Sequence, residues 1–295
     1  MANVDMSGKT VLITGGNAGI GKHATIALAK LGAKVVFTAR DLRKGDLARG
    51  EAREAAASED IDCMSLDLAS FASIERFAEE FLDGYPRLDV LVLNAGLILD
   101  ERSETQEGFE TTFGVNHLGH FYLTSLLRER LEASAPARVV VVSSDAHKGA
   151  PRGLDFDDLM RRNSYGGWKA YCQSKLANIL FARELGRRLE GTGVTANALH
   201  PGLVRTRFAR DGDLGGPLSR LLVAIGTPFM ISPEQGARTT VHVASAPELE
   251  GKSGGYYAKC RPAKSTPAAR DDQAAARLWT ISEELVANAL AAKQA

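Results

Sequence analysis

The chain has few cysteines and no excess of charge, and each of these absences excludes a class of protein. Its three cysteines, Cys63, Cys172 and Cys260, lie far apart and include no Cys-x-x-Cys pair. This argues against a disulfide framework and indicates a reducing compartment. Basic and acidic residues number 36 each, so the formal net charge is zero. Nothing in this balance suggests nucleic acid or an anionic membrane as a partner.

Apolar segments long enough to cross a membrane are also missing. The first residues, through Lys9, contain no apolar core typical of a signal peptide. The apolar run from Leu221 to Ile231 is too short for a bilayer and is interrupted by Gly226 and Pro228. With 44% hydrophobic residues, the chain can still bury a large core. These features predict a cytoplasmic protein without a transmembrane segment.

A regular alternation of strand and helix patterns runs through the sequence. Short apolar runs predict strands at 10–14, 34–38, 61–68, 90–93, 138–144, 194–199 and 254–257, with helices between them. The connections are long enough for right-handed crossovers, and we find no repeat or linker. The pattern predicts an α/β fold in which one doubly wound parallel sheet accounts for residues 1–295 as a single domain.

A glycine-rich turn joins the first predicted strand to the first helix. Its glycines, Gly15, Gly19 and Gly21, form a G-x-x-x-G-x-G pattern. Without side chains, they would let backbone N–H groups approach a pyrophosphate at the helix N-terminus. The alternative is a tight turn that needs positive φ. The strand–turn–helix context favours nucleotide binding, and the predicted site includes Asn17 and Ile20 of the same turn.

The ends of the second and third strands indicate which dinucleotide would bind. Ala39 and Arg40 end the second strand, and no carboxylate stands there to accept from a ribose 2′-hydroxyl. Arg40 could instead bind a 2′-phosphate, or it could be a solvated arginine before the next helix. Asp67, followed by Leu68, could accept from an adenine amino group or cap the helix near Ser70. NADP(H) is therefore expected over NAD(H).

Small residues follow the ends of two further strands. Asn94, Ala95 and Gly96 would let a cofactor ring lie against the backbone, although a plain turn is the alternative. Pro201 and Gly202 lead into residues 203–232, which are rich in glycine and apolar side chains. This composition predicts a mobile cover over a bulky, apolar substrate. A subunit contact and a membrane-surface element are the alternatives, and an arginine at 205, 207 or 210 could bind an acidic substrate.

Tyr171 and Lys175 lie four residues apart, on one face of a predicted helix. A lysine ammonium near a phenol favours the phenolate, and lowering its pKa from near 10 to about 7 requires roughly 4 kcal/mol. In isolation, the pair is more often a surface aromatic and a solvated lysine, and the rest of the chain reverses that preference. Ser144 ends a buried strand where α/β sheets bind ligands, and Ser143 could replace it.

Polar residues also interrupt the apolar helix predicted over 107–131. Asn116 is an amide that needs a partner if it is buried, either a neighbouring backbone group or a water. His117 and His120 lack the cysteine or carboxylate cluster of a metal site. We therefore predict packing or surface roles for both histidines, and no metal.

Together these motifs resemble the short-chain dehydrogenases/reductases in the order in which that family carries them. The matching set is Thr14-Gly15-x-x-x-Gly19-x-Gly21, Asn94-Ala95-Gly96, Asn116, Ser144, Tyr171-x-x-x-Lys175 and Pro201-Gly202. Residues 115–121, 156–159 and 170–178 resemble the retinol-dehydrogenase-like branch and the WW-domain oxidoreductase, with light-dependent protochlorophyllide reductases more distant. The chain departs from the family in having Leu93 before Asn94, where a second asparagine is usual. It also shows no WW module and no hydrophobic anchor.

The resemblance implies a Rossmann fold and an NADP(H)-dependent interconversion of an alcohol and a carbonyl. Tyr171 would be the general acid/base, and Ser144 would bind the substrate oxygen. Lys175 would hold the nicotinamide ribose and lower the Tyr171 pKa, while Asn116 would position a water that relays protons through Lys175. The alternative is a cofactor-binding regulator or scaffold with little turnover. The sequence leaves the substrate, the reaction direction and the oligomeric state open, a homo-oligomer included.

Overall fold

A computed structural model of the chain describes residues 4–204 and 230–294. In that part of the chain, eight strands form one sheet in the order β3-β2-β1-β4-β5-β6-β7-β8. The pairings from β3 to β7 are parallel, and β8 is antiparallel to β7. The strands are β1 (Thr10–Ile13), β2 (Lys34–Ala39), β3 (Ile61–Ser65), β4 (Val90–Leu93), β5 (Ala137–Val142), β6 (Val194–Leu199), β7 (Tyr256–Ala258) and β8 (Arg261–Pro262).

Helices cover both faces of the sheet, which confirms the predicted doubly wound architecture. They are α1 (Gly19–Lys30), α2 (Leu42–Ala56), α3 (Phe71–Gly84), α4 (Thr111–Phe113), α5 (Gly119–Ala133), α6 (Gly167–Arg188), α7 (Pro233–Ser245) and α8 (Asp272–Gln294). α1, α2 and α7 pack on one face, and α3, α5, α6 and α8 pack on the other. None of the described helices is both long enough and apolar enough to span a membrane.

The central strands bury side chains on both faces, which explains their continuous apolar sequence. In β5, Val139 and Val141 belong to one core cluster, whereas Val140 and Val142 belong to the other. Successive side chains of a strand point to opposite faces, so a sheet covered on both sides needs an apolar residue at every position. The carboxyl ends of these strands all open on one edge of the sheet.

The predicted helix over 107–131 begins later, at Thr111, and is widened in its middle. Residues Gly114–Leu118 form a π-helical turn between α4 and α5. Glycines bound this turn because neighbouring chain lies close to both ends. A Cβ at Gly114 would lie 2.5 Å from Thr105 Cγ2, and one at Gly119 would lie 2.5 Å from the Leu68 carbonyl oxygen. The widened turn carries Asn116 and His117, and π-turns of this kind are frequent at functional sites.

Several strand boundaries also differ from the prediction, and one strand was not predicted. β3 ends at Ser65, not at Leu68, and β5 ends at Val142, so Ser143 and Ser144 leave the sheet. The short antiparallel β8 has no counterpart among the predicted strands.

Most of the predicted cover, residues 205–229, lies outside the described part of the chain. The described ends of the 203–232 segment meet each other. Ile231 donates its backbone N–H to the Leu203 carbonyl at 2.9 Å, and Val204 forms a parallel bridge with Ile231.

Candidate active site

A cavity of about 1240 Å³ lies at the carboxyl edge of the sheet. It exceeds the range of about 300–1,000 Å³ that is usual for ligand pockets. Its wall contains all but one of the predicted site residues: Gly15, Asn17, Gly19, Ile20, Gly21, Arg40, Asp67, Leu68, Asn94, Ala95, Gly96, Ser144, Tyr171, Lys175, Pro201 and Gly202. Asn116 lies just behind the wall, because a Cβ at Gly96 would be 3.2 Å from its Oδ1 atom.

The glycine-rich turn between β1 and α1 depends on its glycines for two reasons. Gly15 and Gly19 have φ values of 67° and 52°, in the left-handed region that disfavours other residues. Gly21 packs against the turn itself, and a Cβ there would collide with the Gly15 carbonyl oxygen and lie 2.6 Å from Asn94 Nδ2. α1 begins at Gly19 without a side-chain cap. Its first amide groups are therefore a ready site for a phosphate.

Thr14 joins the ends of β1 and β4, and the sequence alone did not indicate this role. Its Oγ1 accepts the backbone N–H groups of Asn94 at 2.9 Å and Ala95 at 3.0 Å. In return, Asn94 Nδ2 donates to the carbonyl oxygens of Thr14 at 2.9 Å and Gly15 at 3.2 Å. The side chains of Thr14 and Asn94 therefore hold the glycine-rich turn against the Ala95–Gly96 wall of the cavity.

His120 extends this network to the π-turn. Its Nε2 lies 2.9 Å from Thr14 Oγ1, and its Nδ1 lies 3.2 Å from the Asn116 carbonyl oxygen. Burial lowers the pKa of His120 to about 3, so the ring is neutral at physiological pH. A carbonyl can only accept, so Nδ1 carries the proton and Nε2 accepts from the Thr14 hydroxyl.

His117, on the same turn, faces away from the cavity. Its Nε2 lies 2.9 Å from Ser282 Oγ on α8, and burial lowers its pKa to about 3. Both histidines are therefore packed in the interior, and the alternative of a surface role is wrong. Among the described residues, no cluster of three or more histidine, cysteine or carboxylate side chains could hold a metal. The available signal in the sequence was the presence of two histidines in an otherwise apolar helix.

Ser144, Tyr171 and Lys175 meet where β5 faces α6. The side chains of Ser144 and Tyr171 are hydrogen-bonded to each other. Lys175 Nζ lies 5.5 Å from the centre of the Tyr171 ring and donates to the Val142 carbonyl at 3.2 Å. Ser143 is occupied elsewhere, because its hydroxyl donates to the Lys175 carbonyl at 2.7 Å. The geometry therefore favours Ser144 over Ser143 as the serine that faces a ligand.

The lowered pKa expected for Tyr171 is not found in this structure, because burial outweighs the groups that favour the phenolate. Burial raises the pKa of Tyr171 to about 12, and the hydrogen bond with Ser144 only partly opposes this rise. Burial also lowers the pKa of Lys175 to about 8. Both shifts have the same cause, since removing a group from water disfavours its charged form. Neutral phenol and ammonium are therefore the forms present near pH 7.

Asn116 bonds a neighbouring backbone, one of the two arrangements expected for its amide. Its Oδ1 accepts the Leu97 N–H at 2.8 Å, and its Nδ2 donates to the Leu97 carbonyl at 2.9 Å. Nδ2 also donates to Ser174 Oγ at 3.0 Å. The amide thus ties the chain after β4 to the residue before Lys175.

The opposite end of the cavity carries the residues predicted to bind adenosine. Arg40 is exposed at the end of β2, and the neighbouring Asp41 caps α2 through the backbone N–H groups of Arg43 and Lys44. Asp67 Oδ1 accepts the Ala69 N–H at 2.9 Å, while Ser70 caps α3. The alternative that Asp67 caps this helix is therefore wrong. Asp67 lies in the cavity wall, where it could still bind adenine.

Side chains that sequence reasoning did not select line the cavity near Tyr171. Trp168, one helical turn earlier, is 61% exposed, and its ring centre lies 6.0 Å from that of Tyr171. Leu203 is 57% exposed in the same wall. Asp145, which follows Ser144, lies 3.9 Å from His200 and forms an ion pair with Lys148. The position of Trp168 three residues before Tyr171 was the available signal.

Comparison with known proteins gives the class to which this fold and site belong. A family model described as short chain dehydrogenase matches residues 9–155. Human retinol dehydrogenase 14 is 45% identical over 294 residues, covering 95% of this chain and 87% of the relative. Human retinol dehydrogenase 12 is 46% identical over 284 residues, covering 96% and 88%. The chain belongs to the short-chain dehydrogenase/reductase family.

Within that family, the chain belongs to the retinol-dehydrogenase-like branch. Among solved structures, a protein from Mycobacterium paratuberculosis is 36% identical, with a TM-score of 0.76, and the match covers 96% of this chain and 94% of that one. The family uses nicotinamide dinucleotides, and this chain's residues fit such a cofactor. The uncapped start of α1 suits the pyrophosphate, and the glycine-bounded wall at Gly96 leaves room for a flat ring.

Gly21→Ala should weaken binding of a nicotinamide dinucleotide by at least about tenfold, because the added methyl group displaces the Gly15 carbonyl and the turn around it. Gly50→Ala is the matched control, since a Cβ at this exposed position of α2 would meet no atom within 4 Å. Calorimetric titration with NADPH measures both variants. Wild-type affinity in Gly21→Ala would refute a role for this turn in binding.

Proposed function

We propose that the protein is an NADP(H)-dependent oxidoreductase that interconverts an alcohol and a carbonyl on a bulky, largely apolar substrate. The observation that carries the proposal is the convergence of Ser144, Tyr171 and Lys175 in the wall of one cavity with the glycine-rich turn. Two hydroxyl donors beside a lysine can stabilise the negative charge that develops on oxygen during such a reaction.

Each residue has a defined task in this proposal. The bound nicotinamide supplies or accepts the hydride. Tyr171 transfers the proton at its phenolic oxygen, because it is neutral and already hydrogen-bonded to Ser144. Ser144 holds the substrate oxygen. Lys175, protonated near pH 7, provides the positive charge that favours the phenolate when a proton leaves. Asn116 holds the wall behind Gly96 through the bonds of its amide to Leu97 and Ser174, and the proton-relaying water expected at Asn116 stays part of the proposal.

Tyr171→Phe should lower kcat by at least about a hundredfold while cofactor affinity stays within a few-fold, because only the proton-transferring hydroxyl is lost. Tyr165→Phe is the matched control, since this hydroxyl bonds the Leu99 carbonyl and lies outside the cavity wall. Steady-state rates with a panel of ketones and aldehydes give the result. Turnover within a few-fold of wild type would show that another group transfers the proton. A wild-type protein that binds cofactor without turnover would favour the regulator or scaffold alternative.

The preference for NADP(H) rests on the end of β2. Arg40 extends into the cavity wall, no carboxylate stands at Ala39 or Arg40, and Asp41 is engaged in capping α2. A guanidinium recognises phosphate through paired N–H donors, so this position suits a 2′-phosphate. A structural neighbour, the Pseudomonas aeruginosa RhlG/NADP complex, is 26% identical and contains NADP. The NADP in that neighbour supports NADP(H) as the cofactor proposed here.

The double change Ala39→Asp/Arg40→Ala should move the preference from NADP(H) toward NAD(H). It removes the cation and adds an acceptor for the ribose 2′-hydroxyl. The expected change in the ratio of the two dissociation constants is at least about tenfold, as for the loss of one charged hydrogen-bond partner. Arg43→Ala is the control, because this exposed arginine lies outside the cavity wall. Equal affinity of the wild type for both cofactors would refute the proposed preference.

An apolar, uncharged substrate fits the walls around Tyr171. Leu97, Ile98, Trp168 and Leu203 line the cavity, and two of them are large exposed apolar side chains. Burial alone would raise the pKa of Asp145, but Lys148 and the nearby histidines keep it below its ordinary value. The resulting carboxylate beside Ser144 is paired with Lys148, so this pair offers no unpaired cation to an anionic substrate. The relatives named retinol dehydrogenases act, by name, on retinol, which is a bulky apolar alcohol.

Trp168→Ala should lower kcat/KM for a bulky apolar carbonyl by about tenfold and leave a small carbonyl within about threefold, because only the larger substrate contacts the indole. Trp168→Phe should restore part of the loss. Rates with acetone-sized and retinoid-sized substrates make the comparison. An equal loss for both sizes would mean that Trp168 supports the fold of the site rather than substrate selection.

The cytoplasmic location stays a prediction from sequence.

A further inference from the structure

We propose that His120 is a positioning residue that couples the cofactor-binding half of the site to its catalytic half. The proposal rests on the proposed function. The neutral imidazole of His120 bridges Thr14, at the end of β1, and the Asn116 carbonyl, in the π-turn. No other described side chain hydrogen-bonds to both of these groups.

The direction of each hydrogen bond in this bridge is fixed by chemistry. Nδ1–H donates to the Asn116 carbonyl. The Thr14 hydroxyl has two acceptors in reach, and it donates to Nε2 at 2.9 Å in preference to the Val92 carbonyl at 3.4 Å. Thr14 Oγ1 then uses its remaining capacity to accept the N–H groups of Asn94 and Ala95. One tautomer of one buried ring therefore orients the hydroxyl that holds the cofactor wall.

The other end of the bridge leads to the catalytic residues. Asn116 joins Leu97 to Ser174, and Ser174 precedes Lys175 on α6. Lys175 Nζ and Asn116 Oδ1 lie on the same side of Gly96, because a Cβ there would be 3.3 Å and 3.2 Å from them. A shift of the π-turn would therefore move both the groups around Lys175 Nζ and the cavity wall at Gly96.

His117 separates this role from ordinary packing. It lies on the same π-turn, is equally buried and is equally neutral, with its pKa also lowered to about 3 by burial. Its hydrogen bond goes to Ser282 on α8, away from the cavity. Loss of either imidazole removes a buried hydrogen bond, but only loss of His120 removes the direct link between Thr14 and the π-turn.

Two conservative substitutions test the two ends of the bridge separately. His120→Asn places an amide N–H near the position of Nδ1, so it keeps the Asn116 bond and loses Thr14. His120→Gln places its amide near Nε2, so it keeps Thr14 and loses Asn116. We expect the Asn variant to weaken NADPH binding by about tenfold with kcat nearly unchanged, and the Gln variant to lower kcat by about tenfold with binding nearly unchanged.

His117→Asn and His117→Gln are the matched controls, and thermal unfolding is measured for all four variants. We expect the controls to lower the unfolding temperature while cofactor affinity and kcat stay within about threefold of wild type. Similar losses in the His117 and His120 variants, or unchanged binding and kcat in both His120 variants, would overturn the proposal. NADPH binding is followed by its fluorescence without any substrate. If the wild-type protein binds NADPH but reduces no carbonyl, the proposed function is refuted. The NADPH affinity of His120→Asn would still show whether His120 supports the cofactor site through Thr14.

Discussion

The site depends on one buried hydroxyl, that of Thr14, at the point where the strand order of the sheet reverses. β1 pairs with β2 on one side and with β4 on the other, so the chains leaving β1 and β4 diverge at the carboxyl edge. Such a crevice is where open α/β sheets bind ligands. The backbone groups that leave the sheet here need new partners, and Thr14 accepts two of them while Asn94 satisfies two carbonyls. The crevice is open because side chains, rather than a further strand, complete its hydrogen bonds.

Burial sets the electrostatics of the catalytic residues more than their proximity does. Tyr171 and Lys175 lie one helical turn apart, yet the pKa of the tyrosine is raised to about 12 and that of the lysine is lowered to about 8. Each shift favours the uncharged form of its group. The Val142 carbonyl accepts from the Lys175 ammonium at 3.2 Å and from Asn178 Nδ2 at 3.3 Å. Lys175 is therefore held by the backbone of β5 in this structure, and not by the phenol that it was expected to activate.

The residues of the cavity wall could be predicted from the sequence because each belongs to a local pattern. A glycine-rich turn after a strand, small residues after another strand and a tyrosine four residues before a lysine can all be recognised without long-range contacts. The interior supports could not be found in this way. His120 and Thr14 are 106 positions apart, and His117 and Ser282 are 165 apart. Their pairing follows from how α5 packs against the end of β1 and how the π-turn packs against α8, which no local pattern encodes. The π-helical turn at Gly114–Leu118 escaped prediction for the same reason, since contacts with Thr105 and Leu68 explain the glycines at its ends.

The sequence by itself determined the doubly wound sheet, since strands buried on both faces require unbroken apolar runs that alternate with amphipathic helices. It also determined which residues reach the carboxyl edge, because side chains that follow parallel strands share one end of the sheet. Only the tertiary structure decided how those residues behave. It selected Ser144 over Ser143 by engaging Ser143 with the Lys175 carbonyl, and it removed the helix-capping role of Asp67 by giving that cap to Ser70. Hydrogen-bond partners and desolvation depend on groups that are distant in the chain, so they exist only once the chain has folded.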